Sequence, residues 1–321
     1  MIPILQIRED QRYINKVLNR SQFDLNEVNQ SVEAILRDVK NRGDEALKEY
    51  TYRFDQVSLD TFRISNEAID EAMKRIDPNL HSYLTTAKAN IERYHAKQKT
   101  DSFQINQEDG SLIRQIVKPL SCVGIYIPGG SAAYPSTVLM NAIPAKIASV
   151  PRIVMVTPPS KEGIKDSILV AAKLAGVDEI YTIGGAQAIA ALTYGTTQIP
   201  KVDKIVGPGN IYVAIAKKMV SGYVGIDMIA GPSEIAILAD EAANPKYIAA
   251  DLMSQAEHDP LAAAMLITPS LALAKQVKAQ IEVQIQSLSR KDIISQSLAN
   301  YGAIIVVDQL DEATKLVNQI A

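Results

Sequence analysis

Apolar residues recur every three or four positions through much of the first hundred residues, which is the spacing of one face of an α-helix. Gly43 is expected to end the first helix, and Asp44 can cap the next one. The same periodicity returns at Asn66–Ile76 and Asn79–Gln98, so this region is predicted to be mainly helical. The first helix collects its apolar residues on one face at Val28, Val32, Ile35, Leu36 and Val39.

From residue 123 the pattern changes to short β-rich runs that alternate with Ala-rich helical stretches. Each intervening stretch is long enough to be the crossover helix between two parallel strands. The first set of predicted strands lies at Val123–Ile127, Arg152–Val156, Glu179–Ile183 and Lys204–Val206. The alternation resumes after Gly231-Pro232, with predicted strands at Ile235–Leu238, Met265–Ile267 and Ile304–Val307.

This alternation predicts an α/β fold with two Rossmann-like parallel-sheet domains, the second inserted in the first, and an N-terminal helical region. Residues 1–20 are expected to form an N-terminal segment. Residues 21–122 and 234–321 are expected to form a discontinuous first domain, completed by the N-terminal helices. Residues 123–233 are expected to form the inserted, doubly wound domain.

Glycine-rich loops follow several predicted strands, at the sheet edge where ligands gather because loop amides and helix N-termini converge there. None is a standard dinucleotide fingerprint or a Walker loop. From these residues the ligand could be a nucleotide or any small polar molecule, and the first loop could equally be a tight turn. The loops are Tyr126 to Ser136, Gly184-Gly185-Ala186-Gln187, Gly207-Pro208-Gly209-Asn210 and Gly231-Pro232-Ser233-Glu234.

Gln255 and His258 are three positions apart near the end of a predicted helix at Asn244–His258. They can therefore share a helical face and hold a metal ion between an amide oxygen and an imidazole. Two ligands do not make a site, and amide oxygen is uncommon at zinc, so these residues alone favour a polar helix terminus. His81 and His95 have no partner at metal-ligand spacing.

Composition limits the classes of function. The 33 basic and 36 acidic residues give a net charge of −3, without a basic stripe that could follow a phosphate backbone, which argues against a nucleic-acid partner. No apolar stretch approaches the roughly 20 residues that span a bilayer, which argues against a membrane protein. Cys122 is the only cysteine, so an internal disulfide is excluded and a reducing cytoplasm is expected.

Taken together, the glycine loops and the blocks around them resemble the histidinol dehydrogenases, the NAD-dependent zinc enzymes that complete histidine biosynthesis. The resemblance follows the family's order along nearly the whole chain. It is carried by Arg42 to Leu47 with Tyr50, Phe54-Asp55, Asn90-Ile91 with His95, Tyr126 to Met140, Gly184 to Leu192, Gly207 to Asn210, Ala230 to Glu234 and Ser254 to His258.

The resemblance implies that NAD lies in the central domain and contacts Tyr126, Gln187 and Asn210. It implies zinc ligands at Gln255 and His258, which also border the substrate L-histidinol, and a further substrate contact at Ser233. The implied reaction oxidises L-histidinol through histidinaldehyde to L-histidine with two NAD in succession. Zinc would chiefly orient the substrate, and the implied assembly is a homodimer.

The family's catalytic histidine and its neighbouring glutamate belong to a Pro-Glu-His segment that follows the helix corresponding to Leu310–Ile320. This sequence stops at Ala321, before that segment, and the family's other two zinc ligands lie further on. No catalytic residue is therefore assigned within the chain, and residues 1–321 alone are expected to be inactive. The alternative is a non-catalytic, two-lobed protein that binds a nucleotide or another small ligand.

Overall fold

The structure is a computed structural model, and it describes residues 2–10, 14, 26–129, 134–229 and 234–320. The chain divides into two compact units. The central unit is Leu25–Ala230, and the terminal unit combines Met1–Asp24 with Gly231–Ala321. One α/β unit is therefore inserted in another, which confirms the predicted fold class.

Helices and strands alternate through most of the described residues. The strands are β1 (Ile4–Gln6), β2 (Phe103–Asn106), β3 (Leu112–Gln115), β4 (Cys122–Tyr126), β5 (Arg152–Thr157), β6 (Glu179–Thr182), β7 (Lys204–Val206), β8 (Gly225–Ile226), β9 (Glu234–Leu238), β10 (Ala263–Thr268) and β11 (Ala303–Val306). The helices are α1 (Asn26–Arg42), α2 (Asp44–Asp55), α3 (Asn66–Arg75), α4 (Pro78–His95), α5 (Pro135–Ile147), α6 (Asp166–Ala175), α7 (Gly185–Tyr194), α8 (Ile211–Val220), α9 (Pro245–Ala256), α10 (Leu271–Gln284), α11 (Lys291–Asn300) and α12 (Leu310–Ile320).

The central unit is built on a five-stranded parallel sheet with the strand order β6-β5-β4-β7-β8. The chain moves outward from β4 through β5 to β6, then returns to place β7 on the other side of β4. Every residue of β4 is buried, because α1, α7 and α8 cover one face of the sheet and α4, α5 and α6 cover the other. The strand order therefore reverses between β4 and β7, the position where ligands bind in doubly wound sheets.

The N-terminal helices belong to the central unit. Helix α1 packs on α7 and α8, α3 packs on α6, and α4 packs on α5. The structure thus places residues 26–122 with the central sheet, whereas the sequence predicts that they complete the domain containing residues 234–321. The periodicity of a helix marks the face that it buries but does not identify the sheet that it covers. Asp44 also differs from its predicted role as a cap, since it begins α2 and Gly43 holds the cap position with φ of 56°.

Strands β2 and β3 form an antiparallel hairpin that the sequence pattern does not predict. All eight residues of the two strands are exposed, so no alternation of buried and exposed positions marks them. The turn between them contains Gly110 at φ of 83°, in the left-handed region that favours glycine.

The terminal unit contains a four-stranded parallel sheet with the strand order β1-β11-β10-β9. Strand β1 comes from the start of the chain and pairs with β11, with Ile4 opposite Ile304. Helices α9, α10 and α11 cover one face, and α12 contributes to the apolar cluster on the other. Across the described residues, no helix is both long enough and apolar enough to cross a membrane.

Candidate functional site

A cavity of about 640 Å³ opens at the carboxyl edge of the central sheet. It lies beside the reversal of strand order between β4 and β7, and the first residues of α7 and α8 contribute to its wall. Tyr126, Gln187 and Asn210 all line this cavity, so the structure brings together the three residues that the resemblance assigns to a cofactor. Helices α1 and α2 supply the opposite wall.

Another cavity of similar size, about 590 Å³, lies near the amino ends of β4 and β7, beside the base of the hairpin. Its walls contain Lys118, Pro119 and the end of α5 rather than glycine loops or helix N-termini. Because ligands of parallel sheets bind at the carboxyl ends of the strands, we place the candidate site in the cavity lined by Tyr126.

Tyr126 ends β4 and is only 3% exposed. Its hydroxyl oxygen accepts a hydrogen bond of 3.1 Å from the backbone N–H of Gly185, the first residue of α7. Burial, together with the nearby charge of Asp55, raises the pKa of the Tyr126 phenol to about 12 although the Gly185 bond opposes the rise. Tyr126 is therefore a neutral group at physiological pH, and it fixes the start of α7 against the end of β4.

Gln187 lies in the first turn of α7 and is 1% exposed. Its Oε1 atom is buried and has no hydrogen-bond partner among the residues that the structure describes. Leaving such an acceptor unpaired costs about 1–3 kcal/mol. Gly185 makes room for this side chain, because a Cβ at Gly185 would lie 2.5 Å from Gln187 Oε1. The unpaired amide oxygen suits a ligand that donates a hydrogen bond at the start of α7.

The loop from Gly207 to Asn210 connects β7 with α8 at the same edge. Gly207 has φ of 111°, and a Cβ there would lie 2.2 Å from the carbonyl oxygen of Tyr126. Asn210 caps α8, with its Oδ1 accepting a hydrogen bond of 3.1 Å from Val213 N–H. The N-termini of α7 and α8 therefore border one cavity, and their partial positive charge favours an anionic group such as a phosphate.

Asp55 is a residue of this cavity to which the sequence assigns no role. It ends α2, lines the cavity, and has a buried Oδ2 that finds no hydrogen-bond partner within the described ranges. Burial raises the pKa of its carboxyl group to about 6. The sequence offers no direct signal for this, since an aspartate at a helix end is ordinarily solvated. Its burial depends on tertiary packing.

Gln255 and His258 lie in the terminal unit. Helix α9 ends at Ala256, so Gln255 occupies the last helical turn and His258 lies in the turn beyond it, not within the helix as predicted. The backbone N–H of His258 donates a hydrogen bond of 3.2 Å to the carbonyl of Gln255. Gln255 is partly buried, its Nε2 has no hydrogen-bond partner in the part of the chain that the structure describes, and His258 is exposed.

The other predictions for this region are only partly covered by the structure. Ser233 lies outside the described residues. Among the residues that are described, no three His, Cys, Asp or Glu side chains are grouped so that they could hold a metal ion. The terminal unit thus presents two of the predicted zinc ligands, Gln255 and His258, one turn apart.

The parallel central sheet and its cavity at the reversal of strand order define a doubly wound α/β protein with a ligand crevice at the switch point. The family model for histidinol dehydrogenase matches residues 18–321. The chain therefore belongs to the histidinol dehydrogenase family, a family of oxidoreductases of histidine biosynthesis whose substrate is histidinol.

Individual relatives agree with this membership. The chain is 51% identical over 327 residues to the histidinol dehydrogenase of Clostridium acetobutylicum, an alignment that covers 100% of this chain and 76% of the relative. It is 56% identical to the Listeria innocua enzyme, over 90% of this chain and 68% of the relative. The crystal structure of histidinol dehydrogenase from Elizabethkingia anophelis superposes with a TM-score of 0.89 at 38% identity, covering 100% of this chain and 74% of that one.

Proposed function

We propose that this chain contributes the cofactor site and part of the metal site for the oxidation of L-histidinol through histidinaldehyde to L-histidine, with two NAD reduced in succession and one water added to the aldehyde between the two steps. The observation that carries the proposal is the cavity at the switch point, where Tyr126, Gln187 and Asn210 meet in a member of this family. NAD, when bound, supplies the hydride acceptor.

The residues present fit a dinucleotide. The N-termini of α7 and α8 provide backbone N–H groups and partial positive charge for a pyrophosphate, and Arg53 in the same wall adds a cation. The unpaired Oε1 of Gln187 is available to an amide or hydroxyl donor of the cofactor. Gly207 allows the loop to approach the backbone of Tyr126 more closely than a side chain would permit.

We assign zinc to Gln255 and His258. The two ends of a glutamine amide are nearly interchangeable, so an amide turned by 180° would place an oxygen at the buried position that now lacks a partner. That oxygen would be available to a cation, which fits the proposed ligand. Zinc, when bound, supplies a Lewis acid that orients the substrate. Structural and catalytic zinc sites use three or four protein ligands, so this pair alone should hold zinc weakly.

L-Histidinol is assigned to Ser233, Gln255 and His258. The latter two lie one turn apart at the end of α9, so a metal ligand and a substrate contact can share this segment. No residue of the chain is assigned the acid–base role, which in the family belongs to a Glu-His pair in a segment following the helix that corresponds to α12. Residues 1–321 alone are therefore expected to bind cofactor without completing the reaction.

The test compares two polypeptides, one limited to residues 1–321 and one extended by the family's C-terminal segment. Histidinol-dependent formation of NADH is expected only with the extended polypeptide, whereas saturable NADH binding is expected with both. Rapid turnover by residues 1–321 would overturn the assignment of roles. Cofactor binding with no histidinol oxidation by either polypeptide would support the alternative, a non-catalytic protein that binds a nucleotide or another small ligand.

The remaining parts of the proposal concern partners and location. We expect a homodimer in the cytoplasm, with no nucleic-acid or membrane partner, because of the family resemblance and the balanced charge of the chain. Light scattering of the purified extended polypeptide measures its oligomeric state, and cell fractionation measures its location. A monomeric mass at all concentrations would contradict the dimer.

A further inference from the structure

A buried ion pair lies behind the Gly207–Asn210 loop, and the proposed function does not use it. Lys217 is on α8, and its side chain is 3% exposed. Its ammonium group contacts the carboxylate of Asp227, which follows β8. A lysine is almost never this deeply buried unless it is paired, so the environment of this one is specific.

The pair holds both polar groups of Gly207. Lys217 Nζ donates a hydrogen bond of 2.9 Å to the carbonyl oxygen of Gly207. The backbone N–H of Gly207 donates one of 2.8 Å to Asp227 Oδ2. Gly207 is the residue with φ of 111°, so the pair fixes a backbone conformation that favours glycine at the start of the loop that leads to Asn210.

Stability alone gives little reason for this arrangement. A buried ion pair can often be replaced by apolar side chains without loss of stability, because desolvation offsets the attraction between the charges. Most of the buried residues of α8 are apolar, so an apolar residue at position 217 would suit the packing of the helix. What an apolar residue cannot do is donate a hydrogen bond to Gly207.

We propose that Lys217 and Asp227 are positioning residues for the dinucleotide, which hold the Gly207–Asn210 loop in the conformation that binds it. The inference rests on the proposed function, since it assumes that the cavity binds NAD. Holding the loop before binding removes an ordering cost from the binding step. It also keeps Asn210 and the N-terminus of α8 at the cavity wall.

Gly207 follows the carboxyl end of β7, and the amino end of the same strand offers a matched control. Asp203 precedes β7, and its Oδ2 accepts a hydrogen bond of 2.9 Å from the backbone N–H of Cys122. This bond is also made between a carboxylate and a backbone amide, but it lies at the amino end of β7, away from the Gly207 loop. Asp203→Asn therefore tests the loss of the carboxylate charge from such a bond without disturbing the loop.

The experiment is a titration with NADH in which the fluorescence of the nicotinamide reports binding. The protein contains no tryptophan, so no tryptophan emission overlaps with this signal. Wild type, Asp227→Asn, Lys217→Met and Asp203→Asn are compared, and urea unfolding is measured for each. We expect Asp227→Asn and Lys217→Met to raise the Kd for NADH at least tenfold. Asp203→Asn should lower the urea concentration at the unfolding midpoint. It should leave the Kd for NADH within about twofold of wild type.

Hydrogen exchange at residues 207–213 provides a second readout. Faster exchange confined to this loop is expected in Asp227→Asn. This variant keeps the size of the side chain, so the test can proceed even if Lys217→Met fails to fold. Unchanged NADH affinity in Asp227→Asn, or an equal loss in Asp203→Asn, would overturn the positioning role while the proposed function stands. A wild-type chain that does not bind NADH would overturn the proposed function itself.

Discussion

The two units carry their candidate sites in different ways. The cavity of the central unit depends partly on backbone, through Gly185 in its wall, the close approach of Gly207 to Tyr126, and the N-termini of α7 and α8. The candidate metal position in the terminal unit depends on two side chains, Gln255 and His258. A site made of backbone is fixed once the sheet and its crossover helices form. A site made of side chains needs every ligand to be brought to one point, and the described residues bring two.

The largest expected effect tests whether the backbone of the central unit is as constrained as its contacts indicate. Gly207→Ala would place a Cβ 2.2 Å from the carbonyl oxygen of Tyr126 at φ of 111°. We expect a loss of about 3 kcal/mol or more in the free energy of unfolding, because both strain and overlap oppose the new side chain. Gly110→Ala is the control, since its φ is 83° but nothing lies within 4 Å.

Urea unfolding measures both variants. Gly110→Ala should lose only the cost of the left-handed conformation, about 1 kcal/mol. NADH binding should be lost in Gly207→Ala and retained in Gly110→Ala. Equal losses of stability in the two variants would show that the close approach to Tyr126 does not constrain the loop.

The next effect concerns Asp55, the carboxylate in the cavity wall. Burial raises its pKa to about 6, so the folded protein binds this proton more tightly than the unfolded chain does. The group therefore destabilises the fold progressively as the pH rises from about 4 to 6, and fully above that range. A rise of this size corresponds to about 3 kcal/mol, and screening of the partly exposed side chain reduces it to about 1–2 kcal/mol.

Asp55→Asn should therefore stabilise the protein by about 1–2 kcal/mol at pH 8 and have little effect at pH 4. Asp166→Asn gives the opposite sign at pH 8, because hydrogen bonds from Arg75 hold the pKa of Asp166 below its ordinary value. Urea unfolding at pH 4 and at pH 8 measures the free energy of unfolding of both variants. The same effect of Asp55→Asn at pH 4 and pH 8 would contradict the raised pKa.

Two helix caps allow one substitution to be made in each unit. Asn210 caps α8 through a bond of 3.1 Å to Val213 N–H, and Asn244 caps α9 through a bond of 3.0 Å to Lys246 N–H. Replacing either by alanine should cost about 1 kcal/mol of stability. Only Asn210→Ala should also weaken NADH binding. Weaker binding in both variants would mean that cofactor affinity reports general stability and not the cavity.

The smallest effect on stability is expected at His258. Its side chain is exposed, so His258→Ala should change the free energy of unfolding by less than about 0.5 kcal/mol. The same substitution should abolish the weak zinc binding of the chain, measured by competition with a chromogenic chelator. His81→Ala is the control and should leave zinc binding unchanged. If His258→Ala retains the zinc affinity of wild type, His258 is not a ligand.

Much of the fold could be predicted because its elements carry strong local signals. The buried strands of the central sheet and the amphipathic helix α1 lie close to their predicted bounds. The elements that were missed have weak signals. Strand β1 has three residues, the hairpin strands are exposed on both faces, and α11 buries only Ile294, Ser297 and Leu298.

The candidate site likewise contains some residues with a strong signal in the sequence and others with a weak signal or none. The family resemblance assigns Tyr126, Gln187 and Asn210 to a cofactor because they stand in distinctive glycine-rich blocks, and the three residues line one cavity. The sequence assigns no role to Asp55, Lys217 or Asp227, because the burial of Asp55 and the contacts of Lys217 and Asp227 with Gly207 arise only from tertiary packing. Lys217 carries a faint signal, a lysine among the apolar residues of α8, but the sequence cannot show that it reaches Gly207.

The pairing of β1 with β11 has a consequence for the order in which the protein can fold during synthesis. Ile4 emerges from the ribosome first, yet its partner Ile304 is made 300 residues later. At roughly 5–20 residues per second, about 15–60 s separate the two. The central unit lies entirely between β1 and β11 in the sequence, so it can complete its sheet while β1 is still unpaired. Insertion of one unit in the other thus separates the synthesis of β1 from that of its partner strand by the whole central unit.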